Sequence, residues 1–172
     1  MFRRSRAREV ALQLLFQLDQ NKKPMSDAAV RAFAAERIPR DAKSEAFCLE
    51  LFAGVKAHRD AIDAVLAATA ENWRLTRMLP SDRNVLRLCA YELLHAPAPE
   101  PVPVLINEAI ELARRFGTAD SPAFVNGILD KVAQKRVPDP TPNADVGPRN
   151  DDNSPTPPTA APEAESPTDP SQ

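Results

Sequence analysis

Apolar residues in this chain recur at intervals of three and four, and over no useful length do they alternate with polar ones. The series Val10, Leu14 and Leu18, flanked by Ala11 and Leu15, marks one face of an amphipathic helix. Val30, Phe33 and Ala34 repeat the pattern behind Ser26, a capping residue, and Phe47, Leu51, Phe52 and Val55 repeat it behind Asp41. That helix is expected to break between Gly54 and Asp60, with Ile62, Val65 and Leu66 continuing in a fourth. Val85, Leu86, Leu88, Cys89 and Leu93 belong to a fifth, capped by Ser81 or Asp82. Prolines at alternating positions in "APAPEPVP" deny a helix to residues 96–103 until Pro103, which suits a first turn. The helix that follows closes on "ELARRFG", with Gly117 expected in the left-handed stop position. Ser121 and Pro122 should open the last helix, as a capping hydroxyl and then a proline at the first helical position. β-branched residues are sparse, and the turn dipeptide Asn126–Gly127 lies inside a helical pattern. The expected fold is all-α, a compact bundle of about six or seven helices.

The pattern stops near residue 137. Ten of the 18 prolines fall in residues 138–172, with Ser, Thr, Asp and Ala and almost no large apolar residue. Such a segment buries too little surface to offset its ordering entropy, so it is expected to be a disordered, Pro-rich acidic tail. Charge divides at the same place. Residues 1–137 carry 21 Lys+Arg against 17 Asp+Glu, a net of +4, whereas the tail carries seven acids and one base, a net of -6. A basic body suits an anionic partner.

Four arginines, Arg3, Arg4, Arg6 and Arg8, crowd the start of the first helix. An export signal would need an unbroken apolar run of about 7–15 residues and a small-residue cleavage site. Glu9, Gln13 and Gln17 interrupt the run, and a transit peptide would sacrifice a well-formed helix face, so the arginines are expected to belong to the mature protein. Cations at a helix N-terminus oppose the helix dipole and repel one another. A local cost without local reward points to a partner, and phosphate is the natural one. The plainer reading, a solvated terminus, has equal weight on charge alone.

Other chemistry is absent from the sequence. No apolar run approaches the ~20 residues of a membrane span. Cys48 and Cys89 lie in apolar helical contexts without a CxxC partner, as buried thiols suited to a reducing cytoplasm. His58 and His95 are isolated, which leaves no visible metal cluster. Neither GxGxxG nor GxxxxGK[ST] occurs, and the Glu108–Glu111 pair reads as a solvated helix face. No catalytic residue, metal or cofactor is expected.

Two stretches carry a resemblance. "VPVLINEAIELARRFGTADSPAFVNGILDKVA", residues 102–133, and "NVLRLCAYELL", residues 84–94, closely resemble the NusB family of bacterial transcription antitermination factors. The opening "RRSRAREVALQLLFQLD" is similar to the family's arginine-rich first helix, and the likeness covers residues 2–136. It implies an RNA-binding protein of two packed helical subdomains. It further implies a small-subunit ribosomal protein, NusE, as partner, boxA RNA of ribosomal RNA leaders as joint ligand, and an antitermination complex on RNA polymerase. Arg4, Arg6 and Arg8 match the family's basic RNA-contacting segment; Arg3 joins them by charge. Asp120 and Phe124 fall on family positions at the RNA surface, though Asp120 also suits a helix cap and Phe124 suits the core beside Ile128. Phe16 matches an aromatic position facing the ribosomal protein. Arg83 stands where some members place an acid toward the same partner. Asn107, Glu108, Asn126 and Gly127 belong to the family signature, with capping, hydrogen bonding between helices and close backbone approach at Gly127 as structural readings. Some relatives form homodimers. A related helical domain fronts certain ribosomal RNA cytosine methyltransferases, which carry a Rossmann-like domain where this chain has its tail. A helical scaffold that binds protein alone is the remaining alternative.

Overall fold

Helix α1, Arg3–Gln20, and helix α5, Pro80–Leu94, bury nearly their whole circumference in the computed structural model, which describes residues 3–21, 23–70 and 74–135. Around them stand α2 (Asp27–Arg37), α3 (Ala42–Ala57), α4 (Arg59–Thr69), α6 (Val102–Phe116) and α7 (Ser121–Ala133), with a 3-10 turn at Leu75–Arg77. Among the described residues there are seven α-helices and no strand, as the spacing predicts. The segment expected to be a tail, 138–172, lies outside the described residues.

Packing divides the helices into two groups. α1, α2 and α3 contact one another, α6 and α7 form a second group that α4 joins through α7, and α5 packs against α1 and α3 as well as α4, α6 and α7. The α1 stripe read from the sequence is the core: Val10, Ala11 and Leu14 are fully buried, and Leu18 packs against the cluster. A helix enclosed on all sides must satisfy its polar residues internally. Arg8 of α1 accordingly meets Glu92 of α5, and Asp19 of α1 meets Asn84 and Arg87 of α5. Rising numbers on one helix meet falling numbers on the other, so the two run antiparallel, with an ion cluster near each end fixing their register.

Local signals fare unevenly. Ser26 accepts the Ala29 N–H at 3.2 Å and Asp41 the Ser44 N–H at 3.1 Å, both as expected of caps. The α3–α4 break falls at His58. Three expectations are corrected. α5 begins at Pro80 without a side-chain cap, because Asp82 turns inward to accept the Ser121 hydroxyl at 2.9 Å. Ser121 lies inside α7 rather than capping it; its oxygen accepts the Thr118 N–H at 2.9 Å, so one hydroxyl ties the α6–α7 turn to α5. Gly117 has φ -101° and ψ -158°, an extended and not a left-handed conformation. Glycine is required there for space: a Cβ would collide with Ser121 and with the Ala113 carbonyl oxygen.

Two more glycines separate by the same criterion. A Cβ on Gly54 of α3 would enter the Tyr91 ring of α5, so the two helices cross at their closest through this residue. Gly127 meets nothing within 4 Å, which removes the close approach expected of it. Gly54→Ala should therefore cost about 1–3 kcal/mol by overpacking, while Gly127→Ala should add about 0.5–1 kcal/mol through helix propensity. Urea midpoints of the two variants should move in opposite directions; equal shifts would contradict this account of the α3–α5 crossing.

The histidines are isolated only in sequence. His58 and His95, at the ends of α3 and α5, stack with ring centroids 4.5 Å apart. Burial, then the charge of His58, lowers the His95 pKa. Among the described residues no group of three or more His, Cys, Asp or Glu could hold a metal ion, and no helix is long and apolar enough to cross a membrane. Cys48 and Cys89 are free and buried; burial pushes the Cys48 thiol up to about 12.

Candidate functional site

The first turns of α1 divide the four arginines among different surroundings. Arg8 points inward and is only 2% exposed. Its Nε and Nη2 donate to the two carboxylate oxygens of Glu92 at 2.8 and 2.7 Å, a bidentate pair. Nη2 also reaches Glu100 at 3.1 Å, and Nη1 lies 3.5 Å from Glu108. Burial opposes the charge on Arg8, but Glu92 and then the other two carboxylates outweigh it and hold the guanidinium protonated. Burial lifts the Glu92 carboxyl above its ordinary value, Glu100 and Glu108 add to the rise, and Arg8 pulls against it. Arg8 is thus a cation whose charge is compensated inside the protein, although it also borders the cavity between α1 and α6. The reward for its charge is intramolecular.

Arg3 and Arg4 remain at the surface, their side chains 83% and 57% exposed. Arg3 lies 3.5 Å from Asp41, and Arg4 donates to Glu100 at 2.6 Å. Glu100 stands in the proline connector; burial disfavours its charge, but Arg4 and Arg8 prevail and hold its carboxyl below the usual range. The guanidiniums of Arg4 and Arg8 sit 4.8 and 5.5 Å from the ring centroid of Phe47 of α3, a residue expected simply in the core. Arg6 faces another way, donating to the Arg37 carbonyl at 3.3 Å and to Glu9 at 2.7 Å, and Glu9 also takes Arg115 at 2.8 Å.

The turn from α2 to α3 thereby adds cations that the sequence did not single out. Arg37 stacks on Phe33 at 3.6 Å, and exposed Arg40 holds φ 62°, the one positive φ at a non-glycine among the described residues. The surface thus formed runs from Arg40 and Arg37 past Arg6 to Arg3 and Arg4. Beyond Arg4 opens a cavity of about 620 Å³ between α1 and the start of α6, lined by Ser5, Pro103, Val104 and Asn107 among others.

Phe16 lies on a separate groove of about 360 Å³ with Leu12, Gln13, Phe33, Ser81 and Phe116. It is 43% exposed, and Phe116 is the other exposed aromatic on that groove. Arg83 is mostly buried instead. It donates to Asp19 at 3.1 Å and to the Leu75 carbonyl at 3.2 Å, inside a cluster where Asp19 also receives Arg59, Asn84 and Arg87. These bonds are internal, and 16% of the side chain remains exposed. Burial opposes the charge on Asp19, but Arg83, Arg87 and Asn84 hold its carboxyl below the ordinary value.

Asp120 is exposed at the N-cap of α7 and makes no side-chain capping bond, so the capping reading fails for it. Phe124 is half-buried and packs against the core, while Val125, Ile128, Leu129 and Val132 supply the buried face of α7. Asn126 donates to Asp130 at 3.2 Å within its own helix.

A helical bundle with an arginine-rich face and an aromatic groove has the build of a binding protein. Residues 5–134 match the model of the NusB family. A transcription antitermination protein NusB of Anaeromyxobacter dehalogenans is 48% identical over 132 residues, covering 76% of this chain and 90% of that protein. That of Myxococcus xanthus is 46% identical over 132 residues, covering 76% of this chain and 94% of its own. Among solved structures, NusB of T. maritima superposes with TM-score 0.68 at 36% identity, over 78% of this chain and 93% of that one. A structure of the antitermination factors NusB and NusE in complex with double-stranded RNA shares the fold, with TM-score 0.67 at 21% identity over 78% and 98% of the chains. The chain belongs to the NusB family, of transcription antitermination factors, and is not an enzyme.

Proposed function

We propose that this chain acts in the cytoplasm as an antitermination factor that binds single-stranded boxA RNA of ribosomal RNA leaders together with NusE, and supports assembly of the antitermination complex on RNA polymerase. The observation that carries this reading is the row of cations beside the start of α1, with Arg3, Arg4 and Arg40 exposed and Arg6 and Arg37 half-buried between them. Cations so arranged track a phosphate backbone. Asp120 and Phe124 are proposed as further RNA contacts at the start of α7, the half-buried ring offering an edge for an unpaired base. The test is a titration of a boxA-like RNA against the full chain, with and without the ribosomal protein. Tighter binding with the partner supports the reading; no RNA binding under either condition overturns it.

The Phe16 groove is the proposed seat of the ribosomal protein. An exposed aromatic flanked by Phe33 and Phe116 is the type of side chain that anchors an interface. Phe16→Ala should weaken partner binding by about 2 kcal/mol or more while costing less than the ~3–5 kcal/mol of a core phenylalanine, because the residue is already 43% exposed. Calorimetric titration with the ribosomal protein would refute this if the variant bound as tightly as the parent.

A further inference from the structure

The cavity between α1 and α6 carries more than charge. Arg4 stands at its edge, Pro103 and Val104 provide an apolar wall, and Val104 is 43% exposed. Asn107, one turn beyond Pro103, is exposed on the same wall. Among the described residues its amide has no hydrogen-bond partner, so the capping and interhelical bonds expected of it are not made. Glu108 lines the cavity beside it and is held in place by Ser5, whose hydroxyl donates at 2.8 Å. Its other oxygen faces Arg8 at 3.5 Å, and a carboxylate engaged once at each oxygen keeps a free lone pair on both.

We propose that this cavity holds one unstacked nucleobase, with Asn107 as the residue that reads its edge. The proposal rests on the RNA-binding reading above and names the part of the ligand that this pocket selects. The base lies against Val104 and Pro103, its phosphate falls to Arg4, and the Asn107 amide presents a donor beside an acceptor to its polar edge. Asparagine pairs in this way with an exocyclic amino group next to a ring nitrogen, as in adenine, and carboxylates accept from the amino group of cytosine. Glu108, an acceptor only, favours such amino groups and repels the carbonyl oxygen of uracil at the same place. The site therefore selects adenine or cytosine over uracil. Arg4 supplies affinity without sequence preference, and Asn107 supplies preference.

The experiment compares the full chain, Asn107→Ala and Arg4→Ala in fluorescence titrations against oligo(A), oligo(C) and oligo(U) ribonucleotides of one length. Oligo(A) and oligo(C) should bind the parent about 5–100-fold more tightly than oligo(U). Asn107→Ala should bring the three to within about threefold of one another, with the dependence on salt unchanged. Arg4→Ala should weaken all three by a common factor and flatten the salt dependence. An exposed amide without partners leaves the fold intact when removed, so thermal melting of Asn107→Ala should match the parent. A base preference that survives in Asn107→Ala, alongside the expected loss in Arg4→Ala, overturns the base pocket and leaves the RNA reading standing. No binding of any oligonucleotide, or full affinity in Arg4→Ala, overturns the RNA reading of this face itself.

Discussion

Replacing Arg8 with methionine should cost about 3–5 kcal/mol of unfolding free energy, a large share of the roughly 5–15 kcal/mol that a domain of this size possesses. The loss comes from what is left behind. Glu92 is buried and depends on both Arg8 donors, at 2.8 and 2.7 Å, for compensation of its charge. With a methionine opposite, its carboxyl must protonate or draw water into the α1–α5 contact. Glu100 and Glu108 lose a shared counter-ion at the same time, but they reach solvent and can hydrate. The double variant Arg8→Met/Glu92→Met should recover most of the loss, since two apolar chains fill the volume without a charge to satisfy. Chemical denaturation of the two variants and the parent measures both quantities. An Arg8→Met protein as stable as the parent would show that Arg8 is not the cation its surroundings require. RNA affinities of a variant lacking Arg8 therefore need correction for its folded fraction before they bear on contact with RNA.

Arg8 also marks where sequence reading reaches its end. The α1 face was legible because helical periodicity is local: Val10, Leu14 and Leu18 announce a buried stripe, and the structure buries it. The dipole argument was equally local, and it misplaced Arg8 because the compensating acids arrive from residues 92, 100 and 108, on α5 and its neighbours. In α5 the same limit applies. Arg87 and Glu92 stand outside the apolar series Val85, Leu86, Leu88, Cys89 and Leu93, yet α5 packs against five other helices and both are buried. Ser121 had the right chemistry for a cap, but its oxygen accepts the N–H of Thr118 in the preceding turn and its hydroxyl donates to Asp82, 39 residues away. The candidate ligand surface was half legible: Arg3, Arg4 and Arg6 are visible as a run, whereas Arg37 and Arg40 join them only because the α2–α3 turn lies against the start of α1. Asn107 was visible only as a motif residue. Its unpaired amide, the feature that gives it a role, emerges once the neighbours are known.

Removing Arg3 and Arg4 together should lower RNA affinity about 10–100-fold at low salt, the loss of two charge-assisted phosphate contacts. The slope of log affinity against log salt should fall by about 0.7 for each contact with single-stranded RNA. Stability should hold or rise slightly, because both side chains are exposed and two cations leave the positive end of the α1 dipole. That combination separates a binding role from a structural one, and it distinguishes these arginines from Arg8. Glu100 gives the converse test. Its carboxylate occupies Arg4 at 2.6 Å, where a phosphate would have to bind or displace it. Glu100→Gln keeps a hydrogen-bonding group against Arg4 but removes the competing negative charge, so RNA should bind more tightly with a steeper salt dependence. Titrations of both variants at several salt concentrations decide the matter. If the arginine variant kept the parent's affinity and slope, or if Glu100→Gln weakened binding, phosphate recognition would have to be sought away from the start of α1.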